Sequence, residues 1–251
     1  MVRLILYNIQ YLEGNDGKNW EYLRVWRRIF HPKYLEFEIG DLLIQKNPDI
    51  VAFTEIGGGS FLERENYLNH FKKLLGMNYS VKRVKYKLKG MRKILKDIPL
   101  FSHQGNAIIS KRKLTDIHTK YVKEGVKNGV IEVTAHVPQK IILFLVHLSL
   151  GRKTREKQIR DLTKLVRDVK EPFIVLGDFN TLGGTKELKK FLKETKLTMY
   201  SPRKNTFPSF HPTKRLDYVL TSDKIKVKTF EIMKTDLSDH LPIFVEFEVK
   251  K

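Results

Sequence analysis

The sequence predicts an α/β protein, and three observations carry the prediction. Apolar runs of strand length recur along the chain, among them Leu4-Ile5-Leu6-Tyr7, Ile50-Val51-Ala52-Phe53, Ile142-Leu143-Phe144-Leu145-Val146 and Phe173-Ile174-Val175-Leu176. Between them lie segments whose apolar residues take helical spacing: Leu35, Ile39, Leu42 and Leu43, then Ile159, Leu162, Leu165, Val166 and Val169. The strand runs end, one after another, beside a polar residue.

Taken in chain order, the first run closes on Asn8. From residue 20 to 34, Trp20, Tyr22, Trp26, Phe30 and Tyr34 interleave with Arg24, Arg27 and Arg28. Leu23, Trp26 and Phe30 stand at i, i+3 and i+7, which predicts a helix burying them beneath an arginine-rich face; a base-stacking platform is the competing reading. After the first helical segment, the run from Ile50 continues through Thr54 to Glu55, just before Gly57-Gly58-Gly59. The run from Ile142 ends on His147, and the second helical segment follows. The run from Phe173 leads into Gly177-Asp178-Phe179-Asn180, where Asp178 and Asn180 stand two apart and share one face of an extended chain. Leu216-Asp217-Tyr218-Val219-Leu220 reads as another strand. Ser238-Asp239-His240 lies on a loop entering the alternating strand Leu241-Pro242-Ile243-Phe244-Val245-Glu246-Phe247, which tolerates Pro242 at its start.

Ligands gather at strand ends in open sheets, so six strands that each deliver a polar group point to one shared site. Singly, each residue has another explanation. Asn8 suits a turn, Glu55 a solvated loop, His147 a satisfied core histidine, and Asp217 a simple pair with Arg215.

The ordered series Asn8, Glu55, Gly105-Asn106-Ala107-Ile108, His147-Leu148, Gly177-Asp178-Phe179-Asn180, Leu216-Asp217-Tyr218 and Ser238-Asp239-His240 closely resembles the endonuclease/exonuclease/phosphatase (deoxyribonuclease I-like) superfamily. The resemblance runs from Asn8 to the last strand. It implies a four-layer α/β sandwich, two mixed β-sheets packed face to face with flanking helices, and a site at one end of the sheets. It further implies that Glu55 is the principal ligand of Mg²⁺ or Mn²⁺, with Asn8 and Asp239 near the metal, oxygen donors that suit hard cations. By the same resemblance Asp178 orients or deprotonates the attacking water, Asn180 and Asn8 hold the scissile phosphate, and Asp217 keeps His240 cationic to stabilise the pentacovalent transition state. His147 assists on the leaving-group side. Arg155, followed by Gln158, matches the family's His-Leu…Arg…Gln pattern and is expected to bind phosphate or position His147; Asn106 and Arg152 join it as substrate-binding candidates.

Departures indicate the branch. Exonuclease III-like abasic endonucleases carry tyrosine where this chain has His147, and a tryptophan-rich segment where it has Asn205-Thr206-Phe207-Pro208-Ser209-Phe210. His147-Leu148-Ser149 looks more like the deoxyribonuclease I, deadenylase, tyrosyl-DNA phosphodiesterase and sphingomyelinase branches. Thr54 stands where many members have glutamine.

At 251 residues, 41% of them hydrophobic, with no Pro/Gly/Ser-rich linker, the chain reads as one domain over 1–251. Zero cysteines excludes disulfides, zinc-thiolate sites and thiol nucleophiles. The apolar run from Ile141 to Val146 is far short of a membrane span, and no signal-like stretch opens the sequence, so a soluble cytoplasmic or otherwise intracellular protein is expected. Asn8 and Asn180, each just after a strand, hint at pseudo-symmetry between two sheets.

Charge is the second strong signal. Lys and Arg number 48 against 28 Asp and Glu, a formal net charge of +20. Bases cluster at Lys82, Arg83, Lys85, Lys87, Lys89, Arg92, Lys93 and Lys96, then at Arg152, Lys153 and Arg155, and at Arg203, Lys204, Lys214 and Arg215. Such a surface favours a polyanion bound with steep salt dependence and little sequence preference. The expected activity is therefore a metal-dependent phosphodiesterase on nucleic acid, a DNA endonuclease or exonuclease ahead of an RNA enzyme, with DNA repair among its roles and no protein partner implied. The alternative is a phosphoinositide phosphatase or sphingomyelinase-like phospholipid phosphodiesterase.

Overall fold

Alternation decides which way each strand faces. In β1 (Val2–Asn8), Leu4 and Leu6 point to one side, and Ile5 and Tyr7 to the other; β2 (Ile50–Ile56) divides Ile50 and Ala52 from Val51 and Phe53 in the same way. Both sets are buried, so these strands are covered on both faces and read as continuous apolar runs. The computed structural model describes residues 1–12, 34–57, 67–84, 105–122, 124–125, 127–201 and 203–250. The expected aromatic helix between residues 20 and 33, the second and third glycines of the Gly57 run, and the bases from Lys85 to Lys96 lie outside them.

After β2 come β3 (Tyr79–Val84) and β4 (Gly105–Ser110), and the first sheet runs β11-β12-β1-β2-β4-β3 with β11 (Ile225–Ile232) and β12 (Ile243–Val249). The second runs β5-β6-β7-β8-β10-β9, from β5 (Leu114–Tyr121), β6 (Gly129–Val137), β7 (Gln139–His147), β8 (Phe173–Asp178), β9 (Thr198–Met199) and β10 (Asp217–Thr221). Each sheet is mixed: β1 and β2 pair in parallel, as do β7 and β8, and their remaining pairings are antiparallel. Leu241 and Pro242 precede β12, so the proline stays out of the ladder.

The inner faces meet in one core that joins Leu4, Leu6, Ile50 and Ala52 to Leu143, Leu145, Ile174, Leu176 and Val219. On the outer face of the first sheet, α1 (Tyr34–Ile44) buries Leu35, Ile39 and Leu43, and α2 (Tyr67–Leu74) buries Leu68 and Phe71. On the second, α3 (Arg152–Val166) buries Ile159, Leu162 and Val166, and α4 (Lys189–Thr195) buries Phe191. Helix, sheet, sheet and helix are thus the four layers that the resemblance implies. Among the described residues, no helix is long and apolar enough to cross a membrane.

Gly177, on β8 beside β7, has φ +139°, and a Cβ there would lie 1.9 Å from the backbone oxygen of Val146. Neither strand can give way without disturbing the parallel pair. Gly177→Ala is expected to destabilise the fold by about 3 kcal/mol, read as a lower urea midpoint at unchanged m-value. An unchanged midpoint would show that the two strands separate more readily than this packing implies.

Candidate active site

Parity carries four polar side chains to one place. Asn8 continues the inward series of Leu4 and Leu6, His147 that of Leu143 and Leu145, Asp178 that of Ile174 and Leu176, and Asp217 that of Val219. All four are buried, where the inter-sheet core reaches the ends of β1, β7 and β8 and the start of β10. Glu55 departs from the alternation. The β2–β4 register shifts between Phe53 and Ile56 and Glu55 has φ +57°, a bulge that brings its Oε1 within 3.6 Å of His147 Nε2.

Asp178 is the hub. Its Oδ2 lies 3.3 Å from Asn8 Nδ2, 3.2 Å from Asn180 Nδ2 and 3.3 Å from His147 Nε2, while its Oδ1 accepts the Asn180 N–H at 2.9 Å. Asn180 sits at φ +51°, a left-handed conformation that asparagine tolerates, and its amide also donates to Leu148 O at 2.9 Å. The carboxamide expected to hold phosphate is thereby committed to fixing Asp178 and the β7 exit loop.

Beside this hub, His240 Nδ1 meets Asp217 Oδ2 at 2.7 Å. The alternative pairing of Asp217 with Arg215 is not adopted: Arg215 donates to Ser201 O and lies over the rings of Tyr218 and Phe230. The buried hydroxyl of Thr206 accepts the backbone N–H groups of Leu216 and Asp217, and the Phe207 ring packs 4.9 Å from the His240 imidazole. Asp239 follows on the same loop; Ser238 Oγ donates to Asn8 O at 2.8 Å, and the Asp239 N–H donates to Gln10 Oε1 at 3.3 Å. These bonds fasten the His240 loop to the end of β1.

Burial and the Asp217 charge raise Asp178 to about 7, against the pull of His240, Lys127 and the Asn180 N–H. Burial, with Glu55 and Asp217, likewise lifts Asp239 to about 6. For His240 burial works against the charge, but Asp217, Asp239 and Asp178 outweigh it and hold the imidazolium up to about 10. One ligand atom from each of Asp178, Asp217 and His240 lies within 4.8 Å of the others, and Asp217 Oδ1 is buried without a hydrogen-bond partner among the described residues. Crowded, desolvated carboxylates with oxygen donors at Asn8 and Glu55 fit a hard divalent cation.

The three substrate-binding candidates fare differently. Asn106 is buried on β4, its Oδ1 3.4 Å from the Glu55 N–H, so it braces the bulge. Arg152 is exposed on the first turn of α3 and bonded to Glu156 at 2.9 Å. Arg155 is 1% exposed; its guanidinium makes a two-pronged pair with Glu187 at 2.8 and 3.0 Å and donates to Ser149 O and Leu150 O. It ties the β7 exit loop, which follows His147, to the segment after β8, since Glu187 Oε1 also accepts the Gly183 N–H at 2.6 Å.

Sequence reasoning missed Lys127, whose Nζ lies 2.6 Å from His147 Nε2 and 3.6 Å from Glu55 Oε1. It also missed Thr206, Phe207 and Glu187. Thr206 and Phe207 fall in the segment noted only for lacking tryptophan, and Lys127 is one base among 48, so only its place after Gly125 in a tight turn offered a signal.

A family model described as the Endonuclease/Exonuclease/phosphatase family matches residues 30–240. The chain belongs to the endonuclease/exonuclease/phosphatase family. Membership makes it one of a generally hydrolytic, divalent-metal-dependent group. Three solved structures illustrate the shared fold. An endonuclease/exonuclease/phosphatase from Beutenbergia cavernae is 15% identical with TM-score 0.76, over 99% of this chain and 72% of its own. A mannosyl-6-phosphatase from Bacteroides thetaiotaomicron is 16% identical with TM-score 0.68, over 99% and 100%. The human Nocturnin catalytic domain with bound sulfate is 16% identical with TM-score 0.70, over 99% and 93%. Curated protein sequences offer no match.

The family site makes a stability prediction. Asp178 and Asp239 hold protons better folded than unfolded, so the stability they contribute is present below the ordinary aspartate range and is lost as pH rises through about 6 and about 7. His240 is also raised, so its contribution is present below about 6.5 and is lost as pH climbs through about 10. A divalent cation competes with the protons on the carboxylates. Adding Mn²⁺ to EDTA-treated protein should therefore raise the melting temperature more at about pH 8 than at about pH 5. Equal shifts at both pH values would place the ion elsewhere.

Proposed function

We propose that residues 1–251 act as one domain, a Mg²⁺- or Mn²⁺-dependent phosphodiesterase that cleaves nucleic acid, foremost DNA, with little sequence preference. The observation that carries this reading is the convergence of Asp178, His147, Asp217 and His240, with Asn8 and Glu55, at one end of a sandwich whose chain bears a formal +20. Arg203, Lys204 and Lys214 are exposed on the segment that carries Thr206 and Phe207, the supports of Asp217 and His240. A phosphate chain crossing the site would meet these cations at its neighbouring phosphates.

In this reading Glu55, Asn8 and Asp239 hold the divalent ion, which supplies neutralisation of charge developing on the phosphate. Asp178, fixed from three sides and raised to about 7, orients the attacking water and takes its proton near neutral pH. His240, kept cationic by Asp217, faces the charge that accumulates in the pentacovalent transition state.

The test is cleavage of supercoiled plasmid with Mg²⁺, Mn²⁺ or EDTA, beside Asp178→Asn and His240→Ala. Metal-dependent nicking is expected, and each variant should lose about 10³-fold or more in rate while keeping its far-ultraviolet circular dichroism. Near-normal activity in a folded variant would remove that residue from the mechanism. Intact plasmid together with hydrolysis of phosphoinositide or sphingomyelin would transfer the site to lipid headgroups.

A further inference from the structure

We propose that Lys127, on the turn between β5 and β6, is a substrate-contacting residue that binds the phosphate undergoing hydrolysis. The proposal rests on the phosphoesterase reading above. Its ammonium sits 2.6 Å from His147 Nε2 and 3.6 Å from Glu55 Oε1, inside the cluster that the strand ends build. Lysine has only donors, so His147 Nε2 accepts from it, and the positive charge at this corner of the site belongs to Lys127. His240 supplies the cation at the Asp217 corner. A phosphate oxyanion seated over Asp178, between the two corners, would have an ammonium on one side and an imidazolium on the other.

The turn holding Lys127 is built into the fold. Val122 N–H bonds Asn128 O at 3.0 Å and closes it. From α3, the fully buried Gln158 donates to the backbone oxygens of Glu124 at 2.7 Å and Lys127 at 3.0 Å, while its own oxygen accepts the Ser149 N–H at 2.9 Å. One carboxamide thus fastens the Lys127 turn to the loop that leaves His147. Gly125 has φ +90°, and a Cβ there would stand 2.6 Å from Ser149 Oγ and 2.7 Å from Gln158 Nε2, so Gly125 lies close against its support. A lysine serving only solubility would need no such clamp.

The experiment uses the full chain, with Lys127→Met and Lys127→Arg, and three probes: Mn²⁺ alone, inorganic phosphate with Mn²⁺ present, and the small diester bis(4-nitrophenyl) phosphate. Because a charge-assisted bond to phosphate is lost, Lys127→Met should bind phosphate about tenfold more weakly and turn over the diester about 10- to 100-fold more slowly. Lys127→Arg should recover most of both. Mn²⁺ affinity in Lys127→Met should hold or tighten, since no ammonium then competes for Glu55. Wild-type phosphate affinity in Lys127→Met overturns the proposal and leaves the lysine as a prop for its loop. If wild-type protein hydrolyses no diester, the phosphodiesterase reading fails separately, and weakened phosphate binding in Lys127→Met would still uphold the lysine as an anion ligand.

Discussion

The buried carboxylate of Asp178 is the constraint around which this end of the molecule is organised. A carboxylate at the top of an apolar core is costly unless donors surround it, and here they come from both sheets: Asn8 from β1 and Asn180 from the loop after β8, with His147 of β7 packed at 3.3 Å. Each of the three brings a further attachment. Asn8 receives the His240 loop through Ser238, Asn180 holds Leu148, and the His147 loop is gripped by Arg155 and Gln158. Satisfying one charge therefore fixes three loops.

The two sheets explain why donors arrive in crossed pairs. Aligned position by position, β11-β12-β1-β2-β4-β3 matches β5-β6-β7-β8-β10-β9, with the parallel pair in the same place and the same chain order entered at a different point. β1 then corresponds to β7 and β2 to β8. The contact of Asn8 on β1 with Asp178 on β8 has its counterpart in that of His147 on β7 with Glu55 on β2. The residues differ while the placement repeats, so the repeat is invisible as sequence similarity. Asn8 and Asn180, the pair that hinted at symmetry, are not equivalent positions; Asn8 matches His147.

Legibility in the sequence followed local rules. Asp178, Asp217 and His147 could be placed because they continue an apolar alternation, which needs only neighbours in the chain. The Asp239-His240 loop was legible through the strand it enters. Glu55 was legible as the polar residue closing the Ile50 run, but its direction was not, because that depends on a bulge set by pairing with β4. Arg155 was legible as a helix residue following His147, but not its partner: Glu187 lies 32 residues away, and no periodicity links them. Lys127 was hidden for the same reason, since what distinguishes it from other lysines is a clamp from Gln158, 31 residues on.

Charge counting shows how these parts fit one another. Glu55, Asp178, Asp217 and Asp239, fully ionised, place four negative charges in the site, and His240 and Lys127 return two. The remaining excess is what one divalent cation cancels. Without that ion, Asp178 and Asp239 reduce the excess by holding protons into the near-neutral range, which is the direction in which both are raised. On the proposed reading, an arriving phosphodiester would add a negative charge to a site that the ion has only brought to balance. The counter-charge that draws it in must then come from beyond the cluster, and the excess of 20 positive charges over the chain supplies it. On that reading, an acidic centre and a strongly basic chain are two requirements of one anionic substrate.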